Sequence, residues 1–249
     1  MICAIVSDIH GNREALDAVM ASIAALPVSA VYCLGDLVGY NPDPNDCVLP
    51  MLGRLAAVVR GNHDKAVAGL LSLEWFNPVA KEAALWTRRA ASSETIAALK
   101  SLPEGPVEAD DGILLCHGTP MDEDAYMIDF ESIIASYRFL DEKYAGIRCC
   151  FHGHTHYPLV VERRRGQRKP SIVRSTEHIV LERGVTWLIN PGSVGQPRDG
   201  NPSASFGILD TDGGVYRNLR VAYDVGETQR KIRRAGLPPQ LAWRLAEGR

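Results

Sequence analysis

Five short apolar runs in this chain each end in a cluster of Asp, His or Asn, and that repetition constrains the fold more than any other feature. Ile2 to Val6 precedes Asp8 and His10, Val31 to Leu34 precedes Asp36, and Ala56 to Val59 precedes Asn62 and His63. Ile113 to Cys116 then precedes His117, and Cys149 to Phe151 precedes His154 and His156. Short apolar runs of this kind read as strands, and open α/β sheets hold their ligands at the carboxyl ends of strands. Five strands ending in ligand-type residues therefore point to one cleft.

The segments between the runs support alternating strands and helices. Asn12 is a cap for a helix in which Leu16, Val19, Met20 and Ile23 recur at helical spacing, and Pro27 marks its exit, giving a βαβ unit. A turn-rich loop from Tyr40 to Pro44 leads to a short helix near Asp46 to Leu52. Asn77-Pro78 is a cap and first-turn pair for a helix to about Ala91, and a shorter helix runs from Ser93 to Leu102. Residues 130 to 142 also read as helical. From 158 to 221 the pattern changes to strands, at Leu159–Val161, Ile179–Leu181, Val185–Ile189, Phe206–Leu209 and Val215–Leu219. The last twenty residues read as helical and basic. No repeat, low-complexity stretch or linker divides the chain, so residues 1–249 are expected to form a single domain.

Composition narrows the class of protein. At 249 residues, 46% hydrophobic and 23% charged, the chain has enough apolar material for a substantial core. A net charge of −3 gives no general field for a polyanion, so stable nucleic-acid binding is not expected. No run approaches 18 unbroken apolar residues, and Met1 leads straight into a strand-like run; a cytoplasmic protein without membrane association is expected. Five of the six cysteines lie in strand-like runs and Cys47 in a short helix, with no C-x-x-C pair, so they are expected to be reduced core residues.

The ligand-type residues carry the chemistry. Asp36 follows His10 by 26 residues and Asn62 follows Asp36 by 26, about one strand-loop-helix-loop each. Asp-x-His and His-x-His put two ligands on one side of an extended chain, where both reach one metal. A carboxylate such as Asp36 has about four lone-pair sites and is able to bridge two cations. Mixed imidazole, carboxylate and amide donors without cysteine suit divalent Mn, Fe, Zn, Ni or Co. Two such ions about 3.5–4 Å apart favour in-line displacement at phosphorus and lower the pKa of a bound water towards about 7.

Asp8-x-His10, Gly35-Asp36, Gly61-Asn62-His63-Asp64, His117-Gly118 and Gly153-His154-Thr155-His156 together resemble the signature of the calcineurin-like metallophosphoesterase superfamily, in its small prokaryotic phosphodiesterase and phosphatase branch. The match spans residues 8 to 156, and Asn190 to Ser193 resembles a further loop of that family. The resemblance implies a four-layer αββα sandwich of two mixed sheets flanked by helices. It implies one metal on Asp8, His10, Asp36 and His156, and a second on Asp36, Asn62, His117 and His154. It implies that a metal-bridging hydroxide attacks a phosphodiester, with phosphomonoesters as further substrates, and that His63 protonates the leaving oxygen or steadies the phosphate. The expected partner is a small phosphoester or nucleotide-type substrate.

The chain also departs from its larger relatives. Ser/Thr protein phosphatases and dinucleoside tetraphosphatases continue Gly-Asp-x-Val with Asp or Ala and a phosphate-binding Arg, whereas Gly39, Tyr40 and Asn41 stand here. A phosphodiesterase is therefore expected ahead of those two activities. Asn41 and Arg198 are candidate substrate-binding residues. A non-catalytic scaffold with the same fold would be expected to lack ligands, and a nuclease to carry a basic groove; neither feature is visible. Tyr40, Trp75 and Phe76 are expected to pack in or over the core rather than line a pocket. His152 and His178 are expected to be structural, while Arg163 to Lys169 and the basic stretch Arg230 to Arg234 read as solvated.

Overall fold

Residues 1–249 are seen in a computed structural model, in which all residues except Asp111 and Arg165 are described. One mixed sheet contains β1 (Ile2–Val6), β2 (Ala30–Cys33), β3 (Ala57–Val58), β9 (Ile179–Val180), β11 (Ala204–Asp210) and β12 (Val215–Val221), in the order β3-β2-β1-β11-β12-β9. The second contains β4 (Val107–Asp110), β5 (Ile113–Leu115), β6 (Cys149–Phe151), β7 (Pro158–Arg164), β8 (Ser171–Ile172) and β10 (Val185–Pro191), in the order β4-β5-β6-β10-β7-β8. β1, β2 and β3 are parallel neighbours, as are β5 and β6, and β11 closes on β1 antiparallel.

The alternation of strand side chains explains why these runs are apolar throughout. Cys3 and Ile5 point into a layer shared with Phe151, Trp187, Leu209 and Tyr216, which glues sheet to sheet. Ala4 and Val6 point the other way, against helices α1 (Arg13–Ala24), α2 (Pro44–Leu52) and α5 (Ser93–Ser101). On the far face of the second sheet, Leu114, Cys150 and Leu188 pack under α6 (Phe130–Lys143). The result is the helix-sheet-sheet-helix stack expected from the sequence, with central strands such as β1, β5 and β6 buried on both faces.

Helix starts follow their caps. Asn12, Asn77 and Asp129 each accept a backbone N–H three residues on, at 3.1, 2.9 and 2.7 Å, starting α1, α4 (Pro78–Ala90) and α6. α2 begins at Pro44, two residues before the expected start, because proline suits the first helical turn. A short helix, α3 (Asn62–Ala68), starts on the Asn62 ligand position itself and was not visible as a periodic pattern. The C-terminal stretch is two helices, α7 (Val225–Arg234) and α8 (Pro239–Glu247), whose Ile232, Leu241 and Leu245 pack with Tyr40 and Ala83. All six cysteines are buried and free, and no helix is long and apolar enough to cross a membrane.

The basic segments are solvated as expected at Arg164, Arg168, Lys169, Arg230, Arg233 and Arg234, and depart from it at two positions. Lys231 bonds Glu14 and Asp43 at 2.5 and 2.8 Å, docking α7 on the first βα unit. Arg163 pairs with Asp141 and lies 4.5 Å over the Tyr137 ring; Arg165 in the same run is outside the described residues. Both cations are bound by carboxylates remote in sequence, which a local charge pattern cannot reveal.

Candidate metal centre

The five strand ends converge. Asp8 follows β1, Asp36 follows β2, Asn62 follows β3, His117 follows β5, and His154 and His156 follow β6. Backbone bonds lock these loops together: His10 N–H donates to the Asp36 carbonyl at 2.8 Å, and Gly153 N–H to that of His117 at 2.8 Å. Asp8, His10, Asp36, His154 and His156 all have left-handed backbone, with φ between 51° and 64°. Non-glycine residues in this region cost about 1–3 kcal/mol each, so the surrounding loops hold the chain in a shape it would not choose.

Those surroundings are specific. Asp64, fully buried, takes four backbone N–H groups: Oδ2 accepts from Asp36 and Gly61 at 2.8 and 2.9 Å, and Oδ1 from Leu37 and Val38 at 2.9 and 3.3 Å. Burial and the Asp36 charge push its carboxyl up to about 7, against the pull of those donors. Asp36 Oδ1 accepts from His63 N–H at 2.8 Å, and a Cβ at position 61 would strike that same oxygen, so glycine is required there. The Asn190 to Ser193 loop holds the other side. Asn190 Nδ2 donates to the Gly153 carbonyl at 2.8 Å, and Ser193 Oγ to that of Asp8 at 2.8 Å.

The histidine tautomers follow from their partners, since a carbonyl only accepts. His10 Nδ1 donates to Val38 at 3.0 Å, His156 Nδ1 to Gln196 at 2.6 Å, His117 Nδ1 to Leu34 at 2.7 Å, and His154 Nε2 to Asp124 at 3.1 Å. The remaining nitrogens face one another: His10 Nε2 lies 3.1 Å from His156 Nε2, and His117 Nε2 lies 3.1 Å from His154 Nδ1. Two imidazole lone pairs at that distance repel unless a cation or proton lies between them. Asp36 Oδ2 stands 3.6 Å from His10 Nε2 and 3.4 Å from His117 Nε2, between the pairs. Asp8 Oδ1 is 3.4 Å from His156 Nε2, and Asn62 Oδ1 is 3.2 Å from His117 Nε2. The carbonyl-anchored imidazoles and buried carboxylates are the donor set of metal sites.

Electrostatics agree. Burial holds His10 and His156 well below the usual imidazole range and His154 at about 3, which favours the neutral form that could hold a metal. Burial opposes charge on His117 too, but the Asp36 and Asp8 carboxylates outweigh it and raise His117 to about 10. Burial pushes Asp8 up to about 6. A proton on His117 thus partly supplies the positive charge that this cluster demands.

His63 sits beside the cluster, and one of its nitrogens lies within 4.8 Å of donor atoms on His10 and Asp36. Its ring packs among those of Tyr40, His10 and Phe76 at centroid distances of 4.5, 4.9 and 5.1 Å. Nδ1 is buried without a hydrogen-bond partner, and a Cβ at position 39 would strike it, so Gly39 is what admits the ring. Burial lowers its pKa to about 4. Tyr40 and Phe76 pack with a core cluster as expected, whereas Trp75 does not, and the expectation that none of the three lines a pocket needs correction. Tyr40 is buried, but all three line a cleft of about 290 Å³ with Asn62, His63 and His154, and Trp75 is 91% exposed.

The two other candidates separate. Asn41 is 1% exposed and donates Nδ2 to the His10 carbonyl at 3.1 Å, so it braces a ligand loop. Arg198 donates Nη2 to Tyr40 OH at 3.3 Å and to Gln196 Oε1 at 3.2 Å, and forms no ion pair among the described residues. Sequence reasoning missed Arg244 on α8, whose guanidinium lies 5.8 Å from the Tyr40 ring, as Arg198 does at 5.9 Å, and whose Nε donates to the Arg249 oxygen at 2.9 Å. Nothing in its local sequence marks it. Burial and the Arg198 charge lower its pKa.

A family model, described as the calcineurin-like phosphoesterase superfamily domain, matches residues 1–214. The chain belongs to that superfamily. It is accordingly a metal-dependent phosphoester hydrolase, and its two mixed sheets flanked by helices are the fold of its metallophosphoesterase relatives. An uncharacterized protein of Methanocaldococcus jannaschii is 35% identical over 248 residues, 99% of this chain and 98% of that protein. The crystal structure of a metallophosphoesterase from Sphaerobacter thermophilus matches with 37% identity and a TM-score of 0.85, over 100% of this chain and 99% of that one. A hypothetical protein from Pyrococcus horikoshii OT3, at 19% identity, shares the fold with a TM-score of 0.78 over 100% and 98% of the two chains. The family model ends before α7 and α8, so Arg244 lies outside it.

Proposed function

We propose that this phosphoesterase hydrolyses phosphodiesters, and phosphomonoesters as further substrates, at a centre of two divalent transition-metal ions. Asp8, His10, Asp36 and His156 would hold one ion, and Asp36, Asn62, His117 and His154 the other, with Asp36 shared. The observation that carries this reading is the pair of opposed imidazoles, each at 3.1 Å, with Asp36 Oδ2 between them. When bound, two such cations supply Lewis-acid charge at the phosphoryl oxygens and lower the pKa of water towards about 7.

The protein's own groups do the rest. His63 stands on the cleft side of the cluster, suited to the leaving oxygen. Its imidazole is neutral in the free protein, and an anionic phosphoester against it favours the protonated ring that donates in the reaction. Tyr40 occupies the position where larger relatives carry a phosphate-binding arginine, which supports a diester preference. Arg198, which forms no ion pair among the described residues and bonds Tyr40 OH at 3.3 Å, would add cationic charge, whereas Arg244 Nε is engaged by the Arg249 oxygen at 2.9 Å. Arg198 also favours a second reading, hydrolysis of a dinucleoside polyphosphate, whose further phosphates would meet its charge. Asn41 supports the ligand loop rather than touching substrate. Six free, buried cysteines support a reducing, cytoplasmic setting for a small-molecule phosphoester hydrolase.

The test is direct. Exhaustive chelation should abolish hydrolysis of a bis-aryl phosphate and Mn²⁺ should restore it, while Asp36→Asn should lose bound metal, read by elemental analysis, as well as rate. Undiminished turnover after chelation refutes the two-metal reading. Comparison with aryl monoesters and dinucleoside polyphosphates then ranks the substrate classes.

A further inference from the structure

Large aromatic side chains seldom stand in water without a partner. Trp75 is 91% exposed and Tyr126 47% exposed, and neither is needed by a core cluster. Both line the cleft that opens on Asn62, His63 and His154. Tyr126 stacks on the His154 ring at 3.8 Å between centroids and 25° between planes, and Phe76 meets His63 edge-on at 5.1 Å. Tyr126 and Phe76 thus lie against the imidazoles, and the same cleft is lined by an exposed indole, that of Trp75.

We propose that this cleft is a nucleobase-binding subsite, so that the phosphoester substrate is a nucleotide whose base stacks on Trp75. The inference deepens the phosphoesterase reading and rests on it. Aromatic faces bind planar rings of any base, because stacking uses the π-face and not a particular edge. Volume argues for more than a simple aryl group. The cleft, at about 290 Å³, is roughly twice the 150 Å³ cavity that accepts a benzene-sized ring. Position argues the same way. Tyr126 and Phe76 already lie against the His154 and His63 rings, whereas Trp75 makes no ring contact among the described residues, so a base held by a ribose beyond the phosphate would find its indole face free. Ser72 and Asn77, whose oxygens already accept backbone N–H groups, keep a hydroxyl proton and an amide NH₂ for a base or sugar edge.

The subsite is tested by binding. The non-hydrolysable methylene-phosphonate analogues of adenosine 5′-monophosphate, phenyl phosphate and glycerol 3-phosphate are titrated by calorimetry into the Mn²⁺-loaded protein, its Trp75→Ala variant and its Trp75→Phe variant. Because Trp75 packs on little else, neither substitution endangers the fold. Trp75→Ala should weaken the nucleotide by about tenfold or more, the range expected for one lost base stack, and change the other two ligands less than threefold. Trp75→Phe should retain most of the nucleotide affinity. Nucleotide binding should also quench tryptophan fluorescence in the parent and not in Trp75→Phe. Equal effects on all three ligands, a loss shared by the phenyl analogue, or no binding of the nucleotide analogue would each overturn the subsite. Bis-aryl phosphate hydrolysis in the same preparation reads the phosphoesterase function separately, so the two ideas fail independently.

Discussion

Replacing Asp64 by Asn tests whether the turn carrying Asp36 is held as the hydrogen bonds indicate. The two side chains have nearly the same volume, so no cavity opens in this fully buried place. An amide, however, offers one acceptor oxygen where the carboxylate offers two. Whichever way it rotates, its NH₂ faces two backbone N–H donors, either Asp36 and Gly61 or Leu37 and Val38. A buried donor left unpaired costs about 1–3 kcal/mol, so two cost about 2–6 kcal/mol. For a chain of this size 1 kcal/mol lowers Tm by roughly 2–4 °C, so the variant should melt at least about 4 °C lower. Loosening the Asp36 backbone should also displace its side chain from between the histidine pairs and weaken metal retention. Scanning calorimetry of metal-free protein isolates the stability effect, and elemental analysis after dialysis reads the metal. A variant that melts within about 1 °C of the parent with full metal content would falsify the role assigned to Asp64.

Two further outcomes follow from the geometry. His63→Ala should keep both metals, reduce hydrolysis of alkyl or nucleoside esters by about 10² to 10⁴, and affect nitrophenyl esters much less, because nitrophenolate needs little protonation. Equal losses on both leaving groups would assign His63 to phosphate positioning. In the metal-free protein His117, at about 10, carries a proton at every lower pH, and ligation requires that proton to leave. Metal affinity should therefore rise with pH through neutrality. Mn²⁺ binding enthalpy at pH 7 should vary with buffer ionisation enthalpy as a proton is released; an enthalpy independent of buffer refutes this.

The ligand-type residues were legible in the sequence because each follows a strand directly, and a strand end is a local event. Asp8, Asp36, Asn62, His117 and His154 needed only an apolar run, a change of residue type and the rule that ligands gather at carboxyl ends of parallel strands. Capped helices were legible for the same reason, since Asn12 and Asn77 act within three residues. Strands such as β4, alternating half-buried and exposed, and the short α3 left no comparable local mark.

What only the tertiary structure decided depends on groups far apart in the chain. The left-handed backbone at five candidate ligand positions is held from elsewhere, by Asp64, Asn190 and Ser193. The aromatic residues near positions 40 and 75 read as core material because ring type alone says nothing of which face meets solvent. Lys231 and Arg244 read as members of a basic helix, yet one is spent on Glu14 and Asp43 and the other overlooks Tyr40. The chain thus announced its chemistry through residue types at strand ends. The shape of its cleft, the tautomers of its histidines and the reach of α8 arise from packing between segments up to about two hundred residues apart, where no local pattern records the contact.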